Sequence, residues 1–161
     1  MLLAIFSLGL ISQRRYVGRI MDKYSLCDVH SVGNELLDAQ HKILLSYMGK
    51  TYTYLLADNK GKDMFDLVES LDCNCKLHFL DEEKVMEKLD FPEIEEHRAQ
   101  HTLFVTYLKN FMGKLRELDS IKNIDELIFL KGWSLEHIEA FDSKYAEYKK
   151  QLIRERICSS W

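Results

Sequence analysis

The chain has 161 residues, enough for one domain, since a domain takes about 100–200 residues. Its single proline, Pro92, and seven glycines leave long stretches without a breaker, which favours long helices and excludes the short strands of a sandwich or barrel. With 47% hydrophobic and 30% charged residues the composition is that of a globular protein, and a net charge of -4 lacks the cationic excess that nucleic acid or an anionic membrane requires.

In chain order, residues 1–30 read as an N-terminal extension or arm and residues 31–157 as the folded domain. Met1 to Ile11 is almost wholly apolar and precedes Arg14 and Arg15. It falls short of the about 20 residues that span a bilayer, and it lacks the start and cleavage site of a secretory signal. Three readings stand: a segment packed on the body, a weak membrane anchor, or an extension upstream of a true start at Met21. The last is favoured, and stable membrane insertion is not expected.

From residue 34 onward apolar residues recur at helical spacing. Asn34 caps a first helix that runs through Leu37, His41, Leu44, Leu45 and Met48 to about Ala57, and residues 58–61 form a turn. A second helix starts near Asp63, carries Val68, Leu71, His78 and Met86, and ends at Asp90-Phe91-Pro92. Pro92 is expected in the first turn of the third helix, where its missing N–H costs nothing, with Glu93, Glu95 and Glu96 at the positive end. That helix runs to about Leu118. After a link from Asp119 to Asn123, a fourth runs from about Asp125 to near Ile157. Four long helices with short links make an all-α, up-down-up-down antiparallel four-helix bundle.

Cys27, Cys73, Cys75 and Cys158 do not have the spacing of a disulfide scaffold and read as free thiols of a reducing, cytoplasmic protein. Cys73 and Cys75 fall on roughly opposite faces of a helix, so they share no metal.

The histidines carry more. The first helix offers His41, the second His78 with Glu82, the third His97 with His101, and the fourth His137 with Asp142. An i, i+4 pair projects from one helix face, whereas the five-residue gap from His137 to Asp142 leaves them about 140° apart on a regular α-helix. A π-type turn between Leu135 and Phe141 is therefore expected. Five imidazoles and two carboxylates converging in one core call for metal as their compensation. His30 stands outside this set.

Ligand type and count choose the metal. The set exceeds one tetrahedral zinc and is too rich in nitrogen for calcium or magnesium, so two metals are needed. If both carboxylates bridge and one solvent oxygen is shared, a pair of octahedra is left one position short. Mixed imidazole and carboxylate ligands with an open position suit iron and dioxygen.

The sequence resembles the hemerythrins, specifically the single-domain bacterial members, the bacteriohemerythrins. The matching stretches are Ser31-Val32-Gly33 with Leu37-Asp38-Ala39-Gln40-His41; His78-Phe79-Leu80-Asp81-Glu82-Glu83 with Met86; Phe91-Pro92 with His97 and His101; and Trp133 with His137-Ile138 and Asp142. The resemblance covers about residues 31–150. It implies a non-heme di-iron centre with an oxo or hydroxo bridge: His97, His101 and His137 on one iron, His41 and His78 on the other, Glu82 and Asp142 bridging. It further implies reversible dioxygen binding at the open position of the His41/His78 iron, beside Trp133 and Ser134.

Three positions depart from the pattern. Ser134 stands where leucine is usual in the family, Asn74 where tyrosine is common, and Leu26 or Cys27 where an N-terminal tryptophan is usual. A hydroxyl at Ser134 predicts faster autoxidation than leucine would give. The expected role is oxygen storage or delivery to an oxygen-consuming client enzyme, without catalysis. The alternatives are a di-iron oxidase or peroxidase, a sensor read by a partner protein, and iron storage or repair. A ferritin-like oxidase would carry more carboxylates and two E-x-x-H motifs, which this chain lacks.

Overall fold

The computed structural model describes residues 31–57, 61–115 and 120–159. The expectations for the N-terminal arm, Met21, Leu26, Cys27, His30, the 58–60 turn and the link at 116–119 lie outside these residues. Helices account for nearly all of the rest: α1 Glu35–Leu56, α2 Lys62–Lys88, α3 Ile94–Lys114, α4 Ser120–His137 and α5 Ser143–Ser159. A single π turn, Ile138–Asp142, joins α4 to α5 without breaking the rod, so the two make the fourth arm of the bundle. α1 packs on α2 and α4, and α3 packs on the same two, which closes a four-helix ring. Among the described residues there is no strand, and no helix is long and apolar enough to cross a membrane.

Local chemistry sets the ends. Asn34 Oδ1 accepts from the backbone N–H of Leu36 at 3.1 Å, the expected N-cap of α1. Just before it, Gly33 turns the chain at φ +70°, a conformation open to glycine, while Asp38 accepts from Ser31 Oγ at 2.6 Å and Val32 N–H at 2.8 Å. α2 ends in a Schellman motif. Phe91 N–H reaches Met86 O, Asp90 N–H reaches Glu87 O, and Asp90 takes the left-handed position at φ 52°.

Two expectations are corrected here. Pro92 lies before the cap residue Glu93 and outside the first turn of α3, because the Schellman exit of α2 needs Phe91 and Pro92 in the link. The fourth helix begins at Ser120, so the expected link through Asn123 is already helical; Asn123 is buried one turn before Leu127 and belongs to the same inward stripe.

The apolar interior falls into two clusters. One, below, contains Leu45, Met48, Leu71, Phe104, Phe111 and Leu127; the other, above, contains Leu37, Met86, Phe91 and Tyr145. Each such side chain contributes about 1.5–3 kcal/mol by burial. A polar layer is sandwiched between them: His41 follows Leu37 by one turn and precedes Leu45 by one, and Glu82 precedes Met86 by one.

Candidate metal centre

The polar layer holds all seven of the predicted ligand residues. His41 comes from α1, His78 and Glu82 from one face of α2, His97 and His101 from one face of α3, His137 from the end of α4, and Asp142 from the end of the π turn. None is more than 4% exposed. The wide turn falls where the five-residue gap required it and brings His137 Nε2 to 3.1 Å from Asp142 Oδ1.

Ligand atoms gather in two groups, each within a span of 4.8 Å: Glu82, His97, His101 and His137 in one, and His41, His78, Glu82 and Asp142 in the other. Glu82 belongs to both. Its Oε2 lies 3.2 Å from His97 Nε2, 3.3 Å from His101 Nε2 and 3.8 Å from His78 Nε2. Asp142 turns Oδ2 to His41 Nε2 at 3.2 Å and Oδ1 to His137 Nε2, so its two oxygens serve the two groups separately. Both carboxylates therefore stand where a bridge between two cations would stand.

These residues fit metal ions. His137 Nε2 is 3.1 Å from His101 Nε2 and 3.2 Å from His97 Nε2, a convergence of three ring nitrogens around one point. His41 Nε2, Glu82 Oε1 and both Asp142 oxygens are buried without a hydrogen bond, a costly state that a cation relieves. Burial, then the charge of Asp142, pushes the Glu82 carboxyl well above its usual range, since two buried carboxylates cannot both ionise without a counter-charge. Burial also lowers the imidazoles of His97, His101 and His137, and it brings His78 down to about 3. They stay neutral and keep their lone pairs free for a metal.

A surrounding layer, not foreseen from the sequence, orients two of the rings. His78 Nδ1 donates to Gln40 Oε1 at 3.1 Å, and Gln40 Nε2 in turn donates to Asp81 at 3.0 Å. His101 Nδ1 donates to Glu83 Oε1 at 2.8 Å, and Glu83 is held by Arg98 Nε at 3.3 Å. The only sequence signals were the second acid of Glu82-Glu83 and the glutamine beside His41. Glu83→Ala is expected to weaken metal binding by about 10–100-fold, measured by competition with a chromophoric chelator. Unchanged affinity would remove Glu83 from the site.

A cavity of about 20 Å³ adjoins the second ligand group. That is room for about one water-sized molecule. His41 and His78 line it, whereas His97 and His101 do not, and its walls include Leu44, Phe104, Trp133 and Ile138. Ser134 is at the wall as expected, but its hydroxyl donates to Leu130 O at 3.0 Å and lies 4.0 Å from Met48 Sδ. Cys75 is also at the wall, where burial raises its thiol pKa and keeps it protonated. Cys73, two residues away, is exposed, in keeping with opposite helix faces. Asn74 donates to Ser70 O at 2.8 Å on its own helix and takes no part in the site.

The family profile of the hemerythrin HHE cation binding domain matches residues 32–148. A myohemerythrin of Riftia pachyptila is 30% identical over 121 residues, covering 73% of this chain and 87% of its own. A bacteriohemerythrin of Methylococcus capsulatus is 25% identical over 111 residues, 67% of this chain and 82% of its own. A hemerythrin-like protein of Naegleria gruberi is 28% identical over 114 residues, 71% and 83% respectively. No solved structure matches. The profile spans both ligand groups and every helix that supplies them, and on that match the chain belongs to the hemerythrin family.

Proposed function

We propose that this protein binds dioxygen reversibly at a non-heme di-iron centre and stores or delivers it to an oxygen-consuming client enzyme in the cytoplasm. His97, His101 and His137 would hold one iron, His41 and His78 the other, with Glu82 and Asp142 shared. Two ferrous ions held there would supply the two electrons that dioxygen takes on binding and returns on release.

The observation that carries this reading is where the cavity lies. It opens on both imidazoles of the smaller group, His41 and His78, and on only one of the larger, His137, so the less saturated metal position would face the space for a small ligand. The chain does the rest. Phe104, Trp133 and Leu44 keep water from the pocket, and the Ser134 proton, engaged by Leu130 O, is not offered to a guest. A largely apolar pocket, in which the Ser134 proton is engaged and the Cys75 thiol is held protonated by burial, favours release of the guest as dioxygen over loss as peroxide. The imidazole-rich donor set favours a carrier over a catalyst.

The test is iron content together with the visible spectrum through repeated cycles of air and argon. Two irons per chain and a colour change that reverses with each cycle support the carrier; one-way bleaching or product turnover would make it an enzyme. Because the Ser134 hydroxyl is already engaged by Leu130 O, the effect of Ser134→Leu comes from its larger side chain, which narrows the pocket to water, so autoxidation is expected to slow several-fold, followed by the decay of the oxygenated spectrum. An equal or faster decay would remove Ser134 from the control of oxidation.

A further inference from the structure

On the outer face of the bundle, over the π turn, a second cleft of about 280 Å³ is lined by Gln100, Trp133, Glu136, His137, Glu139 and Phe141. Trp133 and His137 line both this cleft and the small cavity inside, so they form the wall between them.

Three features of the cleft point to traffic in electrons. Trp133, His137 and Phe141 follow one another at four-residue spacing and stack: the first two rings are 4.6 Å apart and 13° from parallel, the last two 5.3 Å and 11°. The middle ring of this column turns Nε2 to His97, His101 and Asp142. Second, His137 Nδ1 is buried without a partner, as is His41 Nδ1, but of these two rings His137 alone lines the cleft, whereas Gln40 and Glu83 cover the outer edges of His78 and His101. Third, the rim is acidic. Glu136 and Glu139 are exposed, neither is in an ion pair among the described residues, and no Lys or Arg lines the cleft. Lys144, 5.3 Å over the Phe141 ring, is paired with Glu93 at 2.6 Å.

We propose that this cleft is the electron-entry port of the metal centre, where a positively charged one-electron donor docks and reduces the oxidised protein through the stacked His137 ring. The proposal rests on the di-iron reading. A carrier that has lost its guest as peroxide is inert until reduced, and a cavity of about 20 Å³ admits no reductant. In each encounter the donor would give up one electron, which a ferric ion held by His97, His101 and His137 would accept. A second encounter would supply the second electron, with a proton taken from solvent to balance the added charge. No covalent bond to the donor forms.

The first experiment avoids iron. The zinc-loaded protein is titrated with hexaamminecobalt(III), with the Trp133 indole N–H and the Gln100 side-chain amide followed by NMR. The expected shifts centre on these two groups and vanish in the double variant Glu136→Gln, Glu139→Gln. In the second, the oxidised iron-loaded protein is reduced by hexaammineruthenium(II) or by dithionite. The double variant is expected to slow the cationic reductant about ten-fold at low salt and to leave the anionic one unchanged or faster, and added salt erases the difference. Cobalt shifts elsewhere, an unchanged rate with the ruthenium complex, or equal slowing of both reductants would overturn the port. Iron content and air/argon cycling on the same preparations separate the two ideas. A protein that loads no iron defeats the di-iron reading while the cobalt titration still reads the cleft; reversible cycling with no effect of the Glu variants defeats the port alone.

Discussion

Stripping the metal is expected to lower the unfolding midpoint by about 10 °C or more, and the stripped protein is expected to lose stability in mild acid. A ligand bound only by the folded chain adds about 4 kcal/mol when present at about 1,000 times its dissociation constant. For a chain of this size each kcal/mol moves the midpoint by about 2–4 °C. The acid effect follows from the buried rings. Burial lowers the folded pKa of His78 from 6.5 to about 3 and lowers those of His97, His101 and His137 as well. Below pH 6.5 the unfolded chain takes up protons that the folded one refuses, so this part of the stability is complete above 6.5 and declines as pH falls toward 3. Bound metal occupies the same nitrogens and should hold the protein folded to lower pH. Thermal melts by circular dichroism across this range, with and without chelator, test both effects. A midpoint indifferent to chelator, or flat between pH 7 and 5 in the stripped protein, would contradict them.

Glu82→Gln is expected to act in opposite directions on the two forms. In the metal-loaded protein it removes an atom shared by both ligand groups, so both ions should be lost together, and the fall in affinity should exceed the about 10–100-fold expected of an outer partner such as Glu83. In the stripped protein the same change removes a buried carboxyl that burial and Asp142 oppose ionising. Its stability should be unchanged or higher by about 1 kcal/mol, because the change removes a buried ionisable group beside Asp142 and keeps a neutral polar side chain of the same size. Metal analysis and chelator competition read the first effect, and denaturant unfolding of the stripped protein reads the second. Loss of stability in the stripped form would assign Glu82 a structural role independent of metal.

Much of this was written in the spacing of the sequence. His78 with Glu82 and His97 with His101 declare shared helix faces, and the five-residue step from His137 to Asp142 announces the π turn, because a regular helix could not bring both inward. What stayed hidden depends on packing between helices. Gln40 reaches His78 across 38 positions of sequence and Glu83 reaches His101 across 18, and no periodicity on one helix encodes such partners. Spacing relates Cys75 only to positions on its own helix, and its place at the cavity wall follows from how α2 faces the other helices. Boundaries slipped at the links: the Schellman exit of α2 moved Pro92 out of α3, and α4 begins at Ser120, with Asn123 already on its buried stripe.

The central claim is that these seven side chains hold two iron ions as one bridged pair beside the small cavity. Crystals of the iron-loaded protein, with anomalous diffraction recorded on either side of the iron absorption edge, test it directly. Two iron peaks are expected, one among His97, His101 and His137 and one beside His41 and His78, with Glu82 and Asp142 between them. A single peak, or two peaks that share neither carboxylate, would contradict the account.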